Sequence, residues 1–178
     1  MPIEREYKYL VEVNAEDLEK LVLEKKEIEQ FYLVIKDNYE IRMRRFDNTY
    51  YLTFKGDGTL ERPEQECPIT REMFEACKPH CQGHVIQKNR YVYEGENKWE
   101  IDIYNPDSNL AGLKVAEVEV NSNEDIPQMP EIFFNILTNP TDVTSHKGYK
   151  NKNLARDGLP KDHPISHTTQ NADVKKED

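Results

Sequence analysis

The chain has 178 residues, a length that suits one domain, and carries 24 Lys and Arg against 34 Asp and Glu, a formal net charge of -10. That balance excludes general nucleic-acid binding, which needs a broad basic surface, but leaves room for a local cluster of cations on a small anion. No run approaches the roughly 18 apolar residues of a membrane helix, and the N-terminus lacks a basic start before an apolar stretch, so a cytoplasmic protein with no membrane partner is expected.

In chain order the pattern is strand-rich. Residues 2–13 alternate charged with aromatic or aliphatic side chains: in "IEREYKYL", Glu4, Glu6 and Lys8 fall on one face and Tyr7 and Tyr9 on the other. A helix is expected over 15–26, with Asn14 as its cap and Leu18, Leu21 and Val22 as its apolar stripe. Strands follow at 28–36, 39–46, 49–56 and 63–69, joined by short turn-rich links such as "KDN" and "DNT" that favour antiparallel hairpins. A second helix is expected over 70–78, with Thr70 before it and no capping box. In "CKPHCQGH", Cys77, His80, Cys81 and His84 lie close together, but there is no second knuckle to complete a zinc site, so three reduced thiols are expected. Further strands are expected at 84–94, 97–104 and 112–121, and a third helix near 130–137. From about 159 the chain has no aromatic and few apolar residues, so the expected organisation is a domain over 1–158 and a disordered tail over 159–178.

The charges recur at a spacing of two. "EIRMRRF" puts Glu40, Arg42 and Arg44 on one face; "YYLTFKG" adds Lys55, "PEQEC" Glu64 and Glu66, "QKNRYVY" Lys88 and Arg90, "WEIDIY" Glu100 and Asp102, and "VAEVEV" Glu117 and Glu119. An antiparallel sheet with one packed face and one wet face shows such alternation. Two details favour charges that point inward. The pairs are of like sign, which repel across a shared face. About eight strands also suffice to close a barrel, with the apolar faces outside under the helices. The expected fold is therefore mainly β, with a few helices: a closed eight-stranded antiparallel barrel whose tunnel is charged. Buried charges must be paired, metal-bound or ligand-bound. Acidic and basic groups together suit a polyanion held by Lys and Arg, with a hard divalent cation bridging it to carboxylates.

The Glu-x-Glu-x-Lys start resembles the signature of the CYTH superfamily, the triphosphate tunnel metalloenzymes. "IRMRR", "LTFKG", "PEQE", "QKNR", "EID", "EVEV" and "KGYKNK" follow in matching order, so the likeness runs from about residue 2 to 155. It implies an eight-stranded tunnel that binds a linear triphosphate with Mg2+ or Mn2+. By position Lys8, Arg42, Arg44, Lys55, Lys88 and Arg90 resemble the phosphate-binding residues, with Lys147 and Lys150 in "SHKGYKNKNLA" as candidates for a terminal phosphate at a tunnel mouth. Glu4, Glu6, Glu117 and Glu119 resemble the metal-binding carboxylates, with Asp102, Glu100, Glu64 and Glu66 ranked after them. The short segment "EQFYLVIKDNYEIRMRR" is similar to that of the small bacterial tripolyphosphatases. That likeness makes Tyr32 the candidate that positions or activates the attacking water, with Lys88 as a second candidate catalytic residue. Hydrolysis of tripolyphosphate is the implied activity. The alternatives are an adenylate cyclase, a nucleoside or thiamine triphosphate hydrolase, and a non-catalytic polyphosphate-binding module. Relatives include dimers, so a homodimer is an expectation from the resemblance.

Overall fold

The computed structural model describes residues 4–21, 23–56, 63–121 and 126–164, and the side chains of these except Glu4, Arg5 and Asn121. The elements are β1 (Glu4–Glu12), α1 (Ala15–Glu19), β2 (Glu24–Ile35), β3 (Glu40–Phe46), β4 (Thr49–Lys55), β5 (Glu64–Pro68), α2 (Arg71–Cys77), β6 (Gln82–Glu94), β7 (Lys98–Tyr104), β8 (Lys114–Asn121), β9 (Thr138–Asp142) and α3 (Asn151–Asp157). All nine strands form one antiparallel sheet in the order β5-β4-β3-β2-β6-β7-β8-β1-β9.

The expected eight strands are all present, and β9 is an unforeseen ninth beside β1. The ladder has two free ends, β5 and β9, so among the described residues it is an open sheet where a closed eight-stranded barrel was expected. It is nonetheless strongly curled. Lys55 on β4 and Glu6 on β1 lie six strands apart in the order, which a flat sheet would place about 29 Å apart at about 4.8 Å per strand. Lys55 still acts on the Glu6 carboxyl, and a charge so distant would be screened.

The alternation divides the faces as the sequence suggests. Outside, Tyr91, Trp99, Ile101, Val118 and Val120 pack under α1 (through Leu18) and the turn at Glu131–Phe133; Phe31 and Met43 pack under Phe74 of α2. Inside, one end of the concave face is apolar. Leu10, Tyr32, Ile86, Tyr104 and Val115, from five strands, meet Leu154 and Ala155 of α3 and Tyr149 before it, and form a floor. Gly83 lets α3 seat directly on β6: it has φ 75°, and a Cβ there would stand 2.2 Å from the Ala155 carbonyl oxygen.

Two local expectations are corrected. The helix expected over 15–26 stops at Glu19, because residues 24–27 pair with 89–92 of the long β6, and that ladder outweighs helix propensity. Residues 130–137 hold only a single 3-10 turn, entered through Pro130. Thr70 does cap α2, accepting from Met73 N at 3.1 Å. Of the tail beginning at 159, residues 159–164 are described: Leu159 packs on the floor and His163 meets Tyr149, while 165–178 lie outside the described residues.

Candidate active site

The period of two in each strand, with the pairing registers, brings the charged residues onto the concave face above the floor. Lys8 lies opposite Glu117 and Glu6 opposite Glu119; Arg42 faces Thr53, Arg90 faces Asp102, and Glu100 faces Glu117. Arg42, Arg44, Lys88, Arg90, Asp102 and Glu117 are all buried.

Asp102 is the hub of one side. Lys88 Nζ donates to its Oδ2 at 2.6 Å, and Arg90 donates through Nε and Nη2 to its two oxygens at 2.8 Å each. Arg90 also reaches Glu100 through Nη1. Burial opposes the Asp102 charge, but the Lys88 and Arg90 cations win and hold the carboxyl far below its usual range. The same trio is net positive, so its weaker cation yields: burial, with Arg90 and Arg44 nearby, pushes Lys88 down to about 8. Asp102 thus has both oxygens engaged by cations, and the Lys88 side chain is fully enclosed and fixed on it.

The opposite wall is short of partners. Arg44 Nε donates to Gln30 Oε1 at 2.8 Å, and Arg42 Nη2 lies 3.5 Å from Thr53 Oγ1, which itself donates to Glu66 Oε2 at 2.8 Å. Among the described residues neither arginine has a carboxylate in hydrogen-bond or ion-pair reach. Arg42 Nε and Gln30 Nε2 are buried donors with no acceptor. Burial, then the Arg42 and Arg90 charges, push Arg44 down to about 9, the mark of positive charge crowded without an anion. Burial and Arg42 likewise lower Lys55, which lies 3.9 Å from Glu64.

Across the cavity Lys8 Nζ stands 3.1 Å from Glu117 Oε1, 4.0 Å from Glu6 Oε1 and donates to the Tyr149 carbonyl at 3.2 Å. The approach to Glu117 is off the line of a hydrogen bond, so Glu117 Oε1 remains a buried acceptor without a donor. Burial, then Glu117, raises the Glu6 carboxyl; water still reaches 56% of that side chain, because the cavity is open while its walls thin the solvent around it. Glu119 is exposed beside Glu6, and the Glu4 side chain lies outside those described. No three His, Cys, Asp or Glu side chains converge on an ion position among the described residues.

Tyr32 is 1% exposed and sits at the floor, and burial pushes its hydroxyl up to about 12. Lys147 and Lys150 line a separate 470 Å³ cavity with Lys36, Lys152 and Arg156 beside α3. Lys152 joins the two spaces, at 3.7 Å from the buried Glu40. Sequence reasoning put Glu40 on the charged face without giving it a role, and passed over Gln30 and Lys152. Gln30 was within reach, two residues before Tyr32 on the same face; the Tyr149 carbonyl, a backbone atom, left no signal.

The CYTH domain pattern matches residues 2–153. The chain belongs to the CYTH family. Similar proteins include an inorganic triphosphatase of Nitrosomonas europaea, 35% identical over 124 residues that cover 67% of this chain and 76% of that protein. Another is an inorganic triphosphatase of Acetivibrio thermocellus, 30% identical over 71% of this chain and 78% of that one. A crystal structure of an inorganic triphosphatase superposes with a TM-score of 0.62 at 27% identity, covering 90% of this chain and 99% of its own. The CYTH match thus spans the sheet and the charged residues of the cavity, and ends just before Leu154 and Ala155 of the floor.

Proposed function

We propose that this protein is a divalent-metal-dependent triphosphatase that hydrolyses a linear triphosphate, with inorganic tripolyphosphate as its substrate, inside the charged cavity of the curled sheet. The observation that carries this reading is the unsatisfied wall: among the described residues Arg42 and Arg44 are buried without a carboxylate, and the Arg42 Nε and Gln30 Nε2 donors meet no acceptor. A buried donor left unpaired costs roughly 1–3 kcal/mol, and a phosphate chain supplies acceptors along its whole length. The inorganic triphosphatases among the relatives support the same class of substrate.

Phosphoryl transfer needs positioning and charge neutralisation more than covalent help from the protein. Arg42 and Arg44 offer planar forks to phosphate oxygens, while Lys8 and Lys55 act as compact charges across from them. Lys88, Arg90 and Asp102 form a rigid ionic backing that keeps the cavity positive. Glu6, Glu117 and Glu119 suit Mg2+ or Mn2+, since Glu117 Oε1, although 3.1 Å from the Lys8 ammonium, accepts no hydrogen bond, and such ions take one or two carboxylates plus substrate oxygens. A bound ion would neutralise charge on the phosphoanhydride and lower the pKa of water. Tyr32, with its hydroxyl near 12, keeps its proton at neutral pH and orients water or phosphate by hydrogen bonding.

The test is phosphate release from tripolyphosphate, ATP and thiamine triphosphate, each with Mg2+, Mn2+ or chelator, with cyclic AMP assayed in the ATP samples. Fast release from tripolyphosphate that chelator abolishes and Glu117→Gln removes at limiting metal is expected. Cyclic AMP formation would replace the reading with a cyclase. Tight binding without turnover would leave only a binding module.

A further inference from the structure

The segment before α3 holds the active-site lysine, and the short stretch after α3 holds that segment. Segment 143–149 grips Lys8 through three of its residues: Val143 N donates to the Lys8 carbonyl at 2.9 Å, Lys8 N donates to Thr144 Oγ1 at 3.0 Å, and Lys8 Nζ donates to the Tyr149 carbonyl at 3.2 Å. Tyr149 is itself held from behind. Its hydroxyl lies 2.8 Å from His163 Nδ1, and its ring packs edge-on to His146, with centroids 4.8 Å apart. Gly148 N donates to His146 Nδ1 at 3.1 Å, which leaves the His146 proton on Nε2, 3.0 Å from Asp162 Oδ2. Pro160 closes on Gly148 so tightly that a Cβ there would stand 2.9 Å from it.

We propose that residues 159–163 are a clasp that fixes the Tyr149 carbonyl on the Lys8 ammonium, and that His163 is thereby a positioning residue for the triphosphate site. An ammonium has three donors and swings easily on its stem. Here one donor is committed to the Tyr149 carbonyl, and that commitment holds Nζ off the line of Glu117 Oε1, 3.1 Å away. Without the carbonyl, Lys8 turns to close its 3.1 Å ion pair with Glu117 into an aligned, charge-assisted hydrogen bond. The ammonium is then lost to phosphate and the carboxylate to the cation. The clasp keeps both groups available. Its readout in turnover rests on the triphosphatase reading; its readout in lysine chemistry does not.

The test uses the full chain with His163→Ala, His163→Asn and Tyr149→Phe. The tripolyphosphate KM is expected to rise about fivefold in His163→Ala and Tyr149→Phe with kcat little changed, and to recover in His163→Asn, whose amide oxygen can replace Nδ1. Both effects should vanish in a Lys8→Ala background, since the clasp acts through Lys8. Acetylation of Lys8 by acetic anhydride without substrate, followed by mass spectrometry, should change at least threefold in rate in His163→Ala. If that variant does not fold, Tyr149→Phe carries the measurement. An unchanged Lys8 rate in a folded variant, or the same KM rise in the Lys8→Ala background, overturns the clasp. If the wild type hydrolyses no triphosphate, the triphosphatase reading fails and the acetylation rate alone decides the inference.

Discussion

Replacing Asp102 with asparagine keeps the shape of the side chain and removes its charge. The wild-type carboxylate accepts three charge-assisted hydrogen bonds, at 2.6, 2.8 and 2.8 Å, from two buried cations. Asparagine offers one acceptor oxygen and turns an NH2 toward the remaining donors. Removing one partner of a buried ionic cluster costs about 3–5 kcal/mol, because it leaves uncompensated charge inside the protein. For a chain of this size about 1 kcal/mol corresponds to about 2–4 °C, so the melting temperature should fall by roughly 6–20 °C. Scanning calorimetry at pH 7 reads this directly. The folded Asp102 carboxyl lies below its unfolded value of about 3.9, so its contribution is complete above that pH and is lost as pH falls through the lower folded value. The gap between wild type and variant should therefore narrow below about pH 4. A further check is tripolyphosphate itself, which should raise the variant's melting temperature more than the wild type's, since the variant's cavity is more positive. A loss under about 2 °C at pH 7 would refute the counter-ion reading, because it would mean that Lys88 and Arg90 do not depend on Asp102.

Two other outcomes follow from the titrating groups. Tyr32→Phe should lower tripolyphosphate turnover without moving the kcat profile between pH 6 and 9, because a hydroxyl near 12 does not ionise there; disappearance of a basic limb in that range would make Tyr32 the base. Burial holds His163 below its ordinary value of about 6.5, against the pull of Asp162 and with the Tyr149 hydroxyl on Nδ1. Its neutral form therefore adds stability that is complete above about pH 6.5 and lost as pH falls through the lower folded value. The wild type should lose more melting temperature between pH 7 and 5 than His163→Asn does, and parallel losses would count against the contact.

Much of the charged cavity was legible because strands enforce a strict period of two. Arg42 with Arg44, Lys88 with Arg90 and Glu117 with Glu119 had to share faces wherever the sheet went, and the apolar positions between them had to find cover under α1 and α2. What failed was local in appearance and distant in cause. Residues 24–26 read as the end of a helix, and became strand because β6 extends far enough to pair with them. Thr138–Asp142, with an asparagine and a proline, carries no strand signal; it forms β9 because the edge of β1 is free to receive it. The stretch after 158 read as too polar to fold, yet one tyrosine and two histidines, spaced along 146–163, draw its first residues into contact.

The sequence by itself determined which side chains face inward, since alternation along a strand needs no knowledge of the partner strand. It also determined the chemical kind of the cavity, because like-charged pairs on one face demand a counter-charge. Tertiary structure alone decided which charges neutralise each other and which stay unspent. Lys88 and Asp102 lie 14 residues apart and are locked at 2.6 Å, whereas Arg42 and Gln30 keep open donors. That division depends on pairing register, on the curl of the sheet and on where α3 seats. These are set by the packing of the whole chain, and Coulomb interactions between buried groups turn on distances that no local pattern encodes.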